Sequence, residues 1–392
     1  MTFYFCGSAA LTFWNALSAC LLAYLSTYKE NLSFTEHIRK REINRKEEME
    51  LLLRFSNYVW QFVLLLFPAV MLLAAFKLFL SRRKNPILTG ILALSALILL
   101  ATVIDGLYIE PNRLELRRVR IYSSKVKKPV RILHVSDIQP RSINKRERRL
   151  FARINKINPD ILIYTGDLMH PGPLNSFNSE IKKMSSLIDG VAAPYGIYSV
   201  KGNMDGLIAR RNKIGKMIFL DNKEKTINAN GTAIKLLGLT PELSGSPFDE
   251  ISLRQLHSSI IRLLGLTPRS LATRRRVLSW HKSAAPDDFT ILLGHSPDYI
   301  LDMSDIPVDL CLAGHIHGGQ VRVPFIGPLA TGCAIPRSWV RGFRKVGRTR
   351  LNVSAGVGSE HFFLLPAIRL NCPPEITLIE LLPWREKRNT GA

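Results

Sequence analysis

Long apolar runs occupy the first third of the chain, and short ones punctuate the rest. From Tyr58 to Leu80 only Gln61, Pro68 and Lys77 interrupt a stretch long enough to cross the hydrocarbon core of a bilayer. Lys77 lies near one end, where it can snorkel. Ile87–Tyr108 repeats the pattern with one charge, Asp105, and SRRKNP between the two reads as the turn of a helical hairpin. Phe3–Tyr28 is diluted by Asn15 and several Ser and Thr, yet holds no charge before Lys29. The pattern predicts three membrane spans, about 3–28, 58–80 and 87–108, so that residues 1–108 form a transmembrane region and 109–392 a separate domain. A helical hairpin buried in a soluble protein is the competing reading. A secretory signal is another reading of the first run, which lacks a basic leader and a small-residue cleavage site. Residues 29–57 mix charges of both signs and read as a solvated or interfacial helix.

Beyond Tyr108 the runs shorten. VRILHV (Val130–Val135), ILIYT (Ile161–Thr165), IYSV (Ile197–Val200), AIKLLGL (Ala233–Leu239), TILLG (Thr290–Gly294), LCLAG (Leu310–Gly314), RLNVS (Arg350–Ser354) and ITLIEL (Ile376–Leu381) each suit a buried strand. Leu150, Ile154 and Ile157 fall at helical spacing within Lys145–Asn158, and Ser179–Ile188 reads as a second helix. Asn230-Gly231, just before the fourth strand, signals a tight hairpin. This alternation predicts an α/β domain. Between Leu239 and Thr290 lies an insertion in which Ile251, Leu253, Leu256, Ile260, Ile261 and Leu264 recur at helical spacing, followed by Arg269, Arg274, Arg275, Arg276 and Lys282. Such a segment either lies on lipid or lids a site, or packs its apolar face on its own domain. A second basic cluster, Arg337, Arg341, Arg344, Lys345, Arg348 and Arg350, either meets phosphates or forms a solvated hairpin.

Charge narrows the partners. The chain carries 54 Lys and Arg against 31 Asp and Glu; 43 of the basic and 24 of the acidic residues follow Tyr108, giving that part a net +19. The excess suits an anionic phospholipid membrane, a phosphorylated substrate or nonspecific nucleic-acid binding. No aromatic-and-basic platform for bases accompanies it, so no specific nucleic-acid partner is expected. Lys29, Arg39, Lys40, Arg41, Arg45, Lys46 and Arg54 follow the first apolar run, and Arg113, Arg117, Arg118 and Arg120 follow the third. The opposing loop holds only Arg82, Arg83 and Lys84, so the positive-inside rule places the C-terminal domain on the cytoplasmic side of a multi-pass inner-membrane protein. Cys6, Cys20, Cys311, Cys333 and Cys372 show neither zinc spacing nor a disulfide framework, and read as small hydrophobes in a reducing compartment.

Polar residues able to ligate metal stand directly after the strands. HVSDIQP places Asp137 and Gln139 after the first, YTGDLMH places Asp167 after the second, and SVKGNMDG places Asn203 after the third. LLGHSPD supplies His295, and LAGHIHGGQ supplies His315 and His317. Five strands each ending in a hard oxygen or imidazole ligand would aim all of them at a common edge of the sheet, where α/β folds place their ligands. Gly166, Gly202, Gly294 and Gly314 each precede a ligand by one residue, which lets the backbone turn sharply.

In order and spacing, SDIQ, GDLM, GNMD, GHSPD and GHIHGGQ resemble the motifs of the calcineurin-like metallophosphoesterases. SAGVGSE (Ser354–Glu360), PPEITLIEL (Pro373–Leu381) and EPNRLELRRV (Glu110–Val119) resemble the closing segments and first strand of the bacterial membrane-attached branch, which includes UDP-2,3-diacylglucosamine hydrolases. The resemblance implies a four-layer αββα sandwich preceded by the transmembrane region. It also implies two divalent metal ions: Asp137 and His317 hold one, Asn203, His295 and His315 the other, and Asp167 bridges both. Such a pair clamps a phosphoryl group and makes hydroxide available at neutral pH. The donor set suits manganese, iron or zinc alike.

Two positions depart from the family pattern. Gln139 stands where a histidine is usual, and its amide would be a weak ligand. Met204 stands where the family has its general-acid histidine, and a thioether donates no proton. Asp205, whose family role is to orient that histidine, is left without it. The resemblance therefore implies a hydrolase of phosphoester or pyrophosphate bonds at a membrane surface, with a nucleotide-diphosphate glycolipid as its leading substrate. The alternatives are a catalytically weak metal-binding membrane protein that keeps the fold for binding or assembly, and a phosphodiesterase acting on a soluble nucleotide or nucleic acid.

Overall fold

The computed structural model describes residues 66–80, 85–170, 177–245, 268–303, 305–328, 331–360 and 367–384. The expected span at 3–28, the start of that at 58–80 and the apolar run of the insertion lie outside them. Helix α1 is Leu66–Leu80. Helix α2, Pro86–Ile104, opens on Asn85, whose side chain accepts from the Leu88 N–H, and has Pro86 at its first position, where no N–H is needed. A π turn and a 3-10 turn extend it to Asn112, making 27 residues that contain an 18-residue stretch of mean hydropathy 2.7. Among the described residues this is the one helix long and apolar enough to cross a membrane. Most of its aliphatic side chains, Ile87, Leu94, Leu97 and Ile98 among them, are exposed.

Strand β1 spans Glu115–Ser123, so the stretch expected to open a strand at Glu110 instead finishes the helix. The reason is burial of Glu110, whose carboxylate accepts from the Cys372 N–H and fastens the last helical turn to the domain. Next come β2 (Val130–Val135), α3 (Lys145–Ile157), β3 (Ile161–Thr165), α4 (Phe177–Asp189) and β4 (Ile197–Val200), close to the expected bounds. Asn144 and Glu147 form a reciprocal capping box that starts α3. The remaining strands are β5 (Lys213–Ile214), β6 (Met217–Phe219), β7 (Glu224–Ala229) and β8 (Thr232–Gly238). After helix α5 (Pro268–Lys282) come β9 (Phe289–Leu293), β10 (Leu310–Ala313), β11 (Arg322–Val323), β12 (Gly327–Pro328), β13 (Gly342–Val346), β14 (Thr349–Val353) and β15 (Glu375–Pro383). Asn230 and Gly231, at φ 53° and 79°, make the tight turn between β7 and β8.

Thirteen of the strands divide between two sheets, of order β1-β15-β2-β3-β4-β6-β5 and β13-β14-β10-β9-β8-β7, and β11 and β12 pair separately as a two-stranded hairpin. Alternation along each strand then builds three apolar layers. Ile132, Ile161, Ile163, Leu236, Ile291 and Leu312 fill the space between the sheets. On the outer face of the first sheet, Leu133, Val135 and Leu162 meet Leu150 and Ile154 of α3 and Met184 and Ile188 of α4. On the outer face of the second, Leu237, Leu292, Cys311, Leu351 and Val353 meet Val277 and Trp280 of α5. Each fully buried side chain of this size contributes roughly 1.5–3 kcal/mol. The result is an αββα sandwich. The described part of the insertion packs on its own domain: Arg274 of α5 binds Asp305 at 2.5 and 2.6 Å, and Arg276 binds Asn222 at 2.7 Å. Arg344, Lys345 and Arg350 of the second basic cluster lie on the β13–β14 hairpin.

Register fixes which end of the sandwich α2 meets. Arg117 of β1 pairs with Thr377 of β15, which pairs with His134 near the end of β2. Thus β1 starts level with the carboxyl end of β2.

Candidate active site

The ligands expected at a single sheet edge come from two sheets. Asp137, Asp167 and Asn203 follow β2, β3 and β4 of the first, while His295, His315 and His317 follow β9 and β10 of the second. They meet at the shared end of the sandwich. One ligand atom from each of Asp137, Asp167 and His295, all buried, lies within 4.8 Å of the others. His295 Nε2 stands 3.3 Å from Asp167 Oδ2 and 3.1 Å from Asn203 Oδ1, and the His295 and His315 ring centroids are 4.8 Å apart. His317 Nε2 stands 3.9 Å from Asp137 Oδ1. All six expected residues therefore share one cluster.

Close backbone approach makes this possible. A Cβ on Gly202 would lie 2.0 Å from Asp167 Oδ1, and one on Gly314 would lie 1.9 Å from Ser136 Oγ and 2.3 Å from Asp137 Oδ2. The site residues themselves bend: Asp137, Gln139, Asp167, His315 and His317 all have φ between 43° and 72°. Each such conformation costs of order 1–3 kcal/mol and persists where the surroundings over-determine it.

Those surroundings are a set of buried hydrogen bonds. The His295 Nδ1–H donates to the Thr165 carbonyl at 2.7 Å, which turns Nε2 toward the other ligands. The His315 N–H donates to both Asp137 oxygens, at 3.0 and 3.1 Å. Asp205 accepts from the backbone N–H groups of Gly202 (2.8 Å), Asp167 (2.8 Å) and Leu168 (3.0 Å), tying the loop after β3 to the loop after β4. Beneath them His134 joins the sheets. Its Nδ1 accepts from Asn352 Nδ2 of β14 at 2.9 Å, and its Nε2 donates to Thr165 Oγ1 at 2.9 Å, which donates to Ser136 Oγ at 2.8 Å. Burial pushes the His134 imidazole down to about 3, so it is neutral.

Electrostatically the cluster is a frustrated cage. Burial works against charge on His295, but Asp167 and then Asp137 carry its imidazole up to about 10. Burial likewise opposes charge on Asp167, yet His295 and His315 hold its carboxyl well below the usual carboxylate range. Burial, then the charge on His295, pushes His315 down to about 4. His315 Nδ1 and His317 Nε2 are buried with no hydrogen-bond partner among the described residues. Unpaired imidazole nitrogens beside two buried carboxylates fit divalent cations, which would satisfy the nitrogens and neutralise the oxygens together.

Sequence reasoning overlooked Glu360. Its Oε1 lies 3.6 Å from His317 Nε2 and 3.1 Å from Gln139 Nε2, so it joins the cluster from the end of the SAGVGSE run. Gln139 Nε2 also donates to Asp167 Oδ2 at 2.5 Å. In this setting the amide is a donor, and turning it over would present its oxygen instead. Also missed was Arg369, fully buried, which donates to the carbonyls of Ala355 and Cys372 at 2.8 Å and approaches His317 Nδ1 at 3.3 Å. Met204 presents no side-chain donor, and its N–H donates to Asp167 Oδ1 at 2.9 Å.

The sequence profile of the calcineurin-like phosphoesterases matches residues 130–319, the stretch that contains all six of these ligands. The chain carries a calcineurin-like metallophosphoesterase domain. With its buried ligand cluster, this domain makes the protein a metallophosphoesterase, a hydrolase. The chain is 27% identical over 287 residues to an uncharacterized metallophosphoesterase of Bacillus subtilis (strain 168), YkuE, covering 70% of this chain and 87% of that one. It is 42% identical over 93 residues to the phosphodiesterase YaeI of Escherichia coli (strain K12), covering 24% of this chain and 32% of the relative. It is also 24% identical over 245 residues to the UDP-2,3-diacylglucosamine pyrophosphatase LpxG of Chlamydia muridarum, covering 56% and 73%.

Proposed function

We propose that the protein hydrolyses a pyrophosphate or phosphodiester bond of a membrane-borne nucleotide-diphosphate glycolipid. The observation that carries the metal-dependent part is the convergence of Asp137, Asp167 and His295 within 4.8 Å in a buried site. Asp137 and His317 would hold one divalent ion, Asn203, His295 and His315 the other, and Asp167 would bridge them; Gln139 is a possible weak further ligand. Ions bound there would supply Lewis-acid polarisation of the phosphoryl group and an acidified water. The chain's own residues hold that arrangement: Asp205 fixes the loops of Asp167 and Asn203, and the Thr165 carbonyl orients His295.

Met204 selects the leaving group. A phosphate or nucleotide departs as an anion without a proton, whereas an alkoxide needs one. The apolar helix α2, ending level with the site, favours a substrate presented at a membrane, with the domain on the cytoplasmic face of the inner membrane. The name of the Chlamydia relative, a UDP-2,3-diacylglucosamine pyrophosphatase, points to the same chemistry. The test is a side-by-side assay, with manganese, of UDP-2,3-diacylglucosamine, a bis-aryl phosphodiester and an alkyl phosphomonoester, on the parent protein and on Met204→His. The first two should be hydrolysed, the third barely, with a gain on the third once histidine supplies the acid. Preference of the parent for the alkyl monoester would refute the assignment.

A further inference from the structure

We infer that the β11–β12 hairpin is a membrane-docking foot, whose tip residues Phe325 and Ile326 enter the interfacial layer of an anionic phospholipid bilayer. The inference rests on the membrane reading of α2 given above. Arg322 pairs with Pro328 and Val323 with Gly327, leaving Pro324, Phe325 and Ile326 as the turn. Phe325 is fully exposed, and Ile326 is 63% exposed. Phe325 also adopts φ 67°, an outlier for a bulky side chain, and its ring has no cover from the domain. A soluble surface gains nothing from two large apolar side chains on a three-residue turn. An interfacial layer, with its mix of apolar and polar environments, accommodates them.

Position identifies the occupant. Residues 368–372 brace both the end of α2 and the root of the hairpin. On one side Arg369 N–H donates to the Gly106 carbonyl at 3.0 Å, and Cys372 N–H donates to Glu110. On the other side Arg322 N–H donates to the Leu370 carbonyl at 2.9 Å, and Asn371 Nδ2 donates to the Arg322 carbonyl at 3.0 Å. The helix that reads as a span and the exposed tip are thus held by the same short segment. Tyr108 and Ile109, on the last turns of that helix, are exposed as well. Beside the root of the hairpin and the start of β1, a polar pocket of about 440 Å³ is lined by Arg117, Arg322 and Arg341 with Glu115. Arg341 pairs with Glu375 at 2.7 Å and Glu115 at 3.2 Å, and Arg117 approaches Glu375 at 3.6 Å, so three guanidinium groups face two carboxylates and one positive charge is left for a lipid phosphate. The hairpin begins shortly after His317, so docking it would bring the metal ligands to the bilayer surface, where a lipid headgroup can be cleaved without leaving the membrane.

The test places one environment-sensitive fluorophore on the full chain at Ile98→Cys, Phe325→Cys or Lys128→Cys, subtracting the signal of the parent chain labelled in parallel. Ile98 lies mid-helix, and Lys128 is exposed just before β2, at the far end of the sandwich. The protein is reconstituted in vesicles of phosphatidylcholine and phosphatidylglycerol that carry nitroxides near the headgroup or deep in the acyl chains. The expected result is deep quenching at 98, shallow quenching at 325 several-fold above that at 128, and a fall at 325 when phosphatidylglycerol is left out. Deep quenching at 98 with quenching at 325 no greater than at 128 overturns the hairpin while the membrane reading stands. Unchanged quenching at 325 without phosphatidylglycerol overturns the role of the arginines. Absence of quenching at 98 overturns the membrane reading, and the foot with it.

Discussion

Asp205→Ala removes a carboxylate that accepts three backbone N–H groups, those of Gly202, Asp167 and Leu168, at 2.8–3.0 Å in a buried site. Each donor left without a partner costs about 1–3 kcal/mol. With partial relaxation the sum is roughly 3–6 kcal/mol, a large share of the ~5–15 kcal/mol that holds a domain together. For a domain of this size each kcal/mol lowers the unfolding midpoint by about 2–4 °C, so a fall of roughly 10 °C is expected. Asp205→Asn retains one acceptor oxygen but sets an amide donor against backbone donors, and should fall between the parent and the alanine variant. Both loops moored by Asp205 carry proposed ligands, Asp167 and Asn203, so bound metal should fall in the same order. The assay is thermal unfolding of the purified chain in detergent, with metal content measured on the same samples. An alanine variant that melts within about 2 °C of the parent and keeps its metal would refute this account and reduce Asp205 to a residue of the loop.

Asp167→Ala, at the proposed bridging position, should abolish manganese-dependent hydrolysis and lower metal content, because both ions would lose a shared ligand; near-normal turnover would show the assignment to be wrong. His134 gives a pH signature. Its folded value of about 3 lies below the ordinary 6.5, so the unfolded chain takes up the proton first. The stability it supports is complete above pH 6.5 and is lost as pH falls toward 3, by about 2 kcal/mol at pH 5. A His134→Gln variant should lack that part of the acid sensitivity between pH 7.5 and 5, measured by denaturant unfolding, whereas the other histidines titrate alike in both proteins. Equal acid sensitivity would mean that His134 is not the buried neutral group.

Much of the site was legible because its signal is local. An apolar run followed by Gly and then a ligand type, as in YTGD or LAGH, writes strand, turn and donor into consecutive positions. The bounds of β2, β3 and β4 follow for the same reason. What stayed hidden depends on distant pairing. That β2 to β4 and β9 to β10 belong to different sheets is set by which strands exchange hydrogen bonds, and the spacing along the chain carries no trace of it. Glu360 reaches His317 across 43 positions of chain, in a run whose polar residues carry no ligand spacing. Arg369 resembles any surface arginine in sequence, yet it is fully buried among backbone carbonyls. Its burial was unreadable because the acceptors are main-chain atoms, which every sequence possesses. Glu110 misled in the opposite direction: EPNRLELRRV resembles the first strand of the family, but one buried carboxylate bond to Cys372 holds its first residues in the helix.

The arrangement explains how a site with five left-handed residues is held in place. Strain of that kind relaxes unless each loop is tied to something that cannot move. Here the ties run to both sheets: Thr165 accepts from His295 of the second sheet's loops, and His134 of the first sheet is hydrogen-bonded to Asn352 of the second. The two sheets cannot slide without breaking a buried hydrogen bond, at the cost of an unsatisfied polar group between apolar layers. The same rigidity reaches the proposed membrane side. Because β1 begins level with the end of β2, and residues 368–372 hold both α2 and β11, the helix end, the hairpin and the ligand loops share one frame. Any contact that orients the hairpin on a bilayer therefore orients the cage as well.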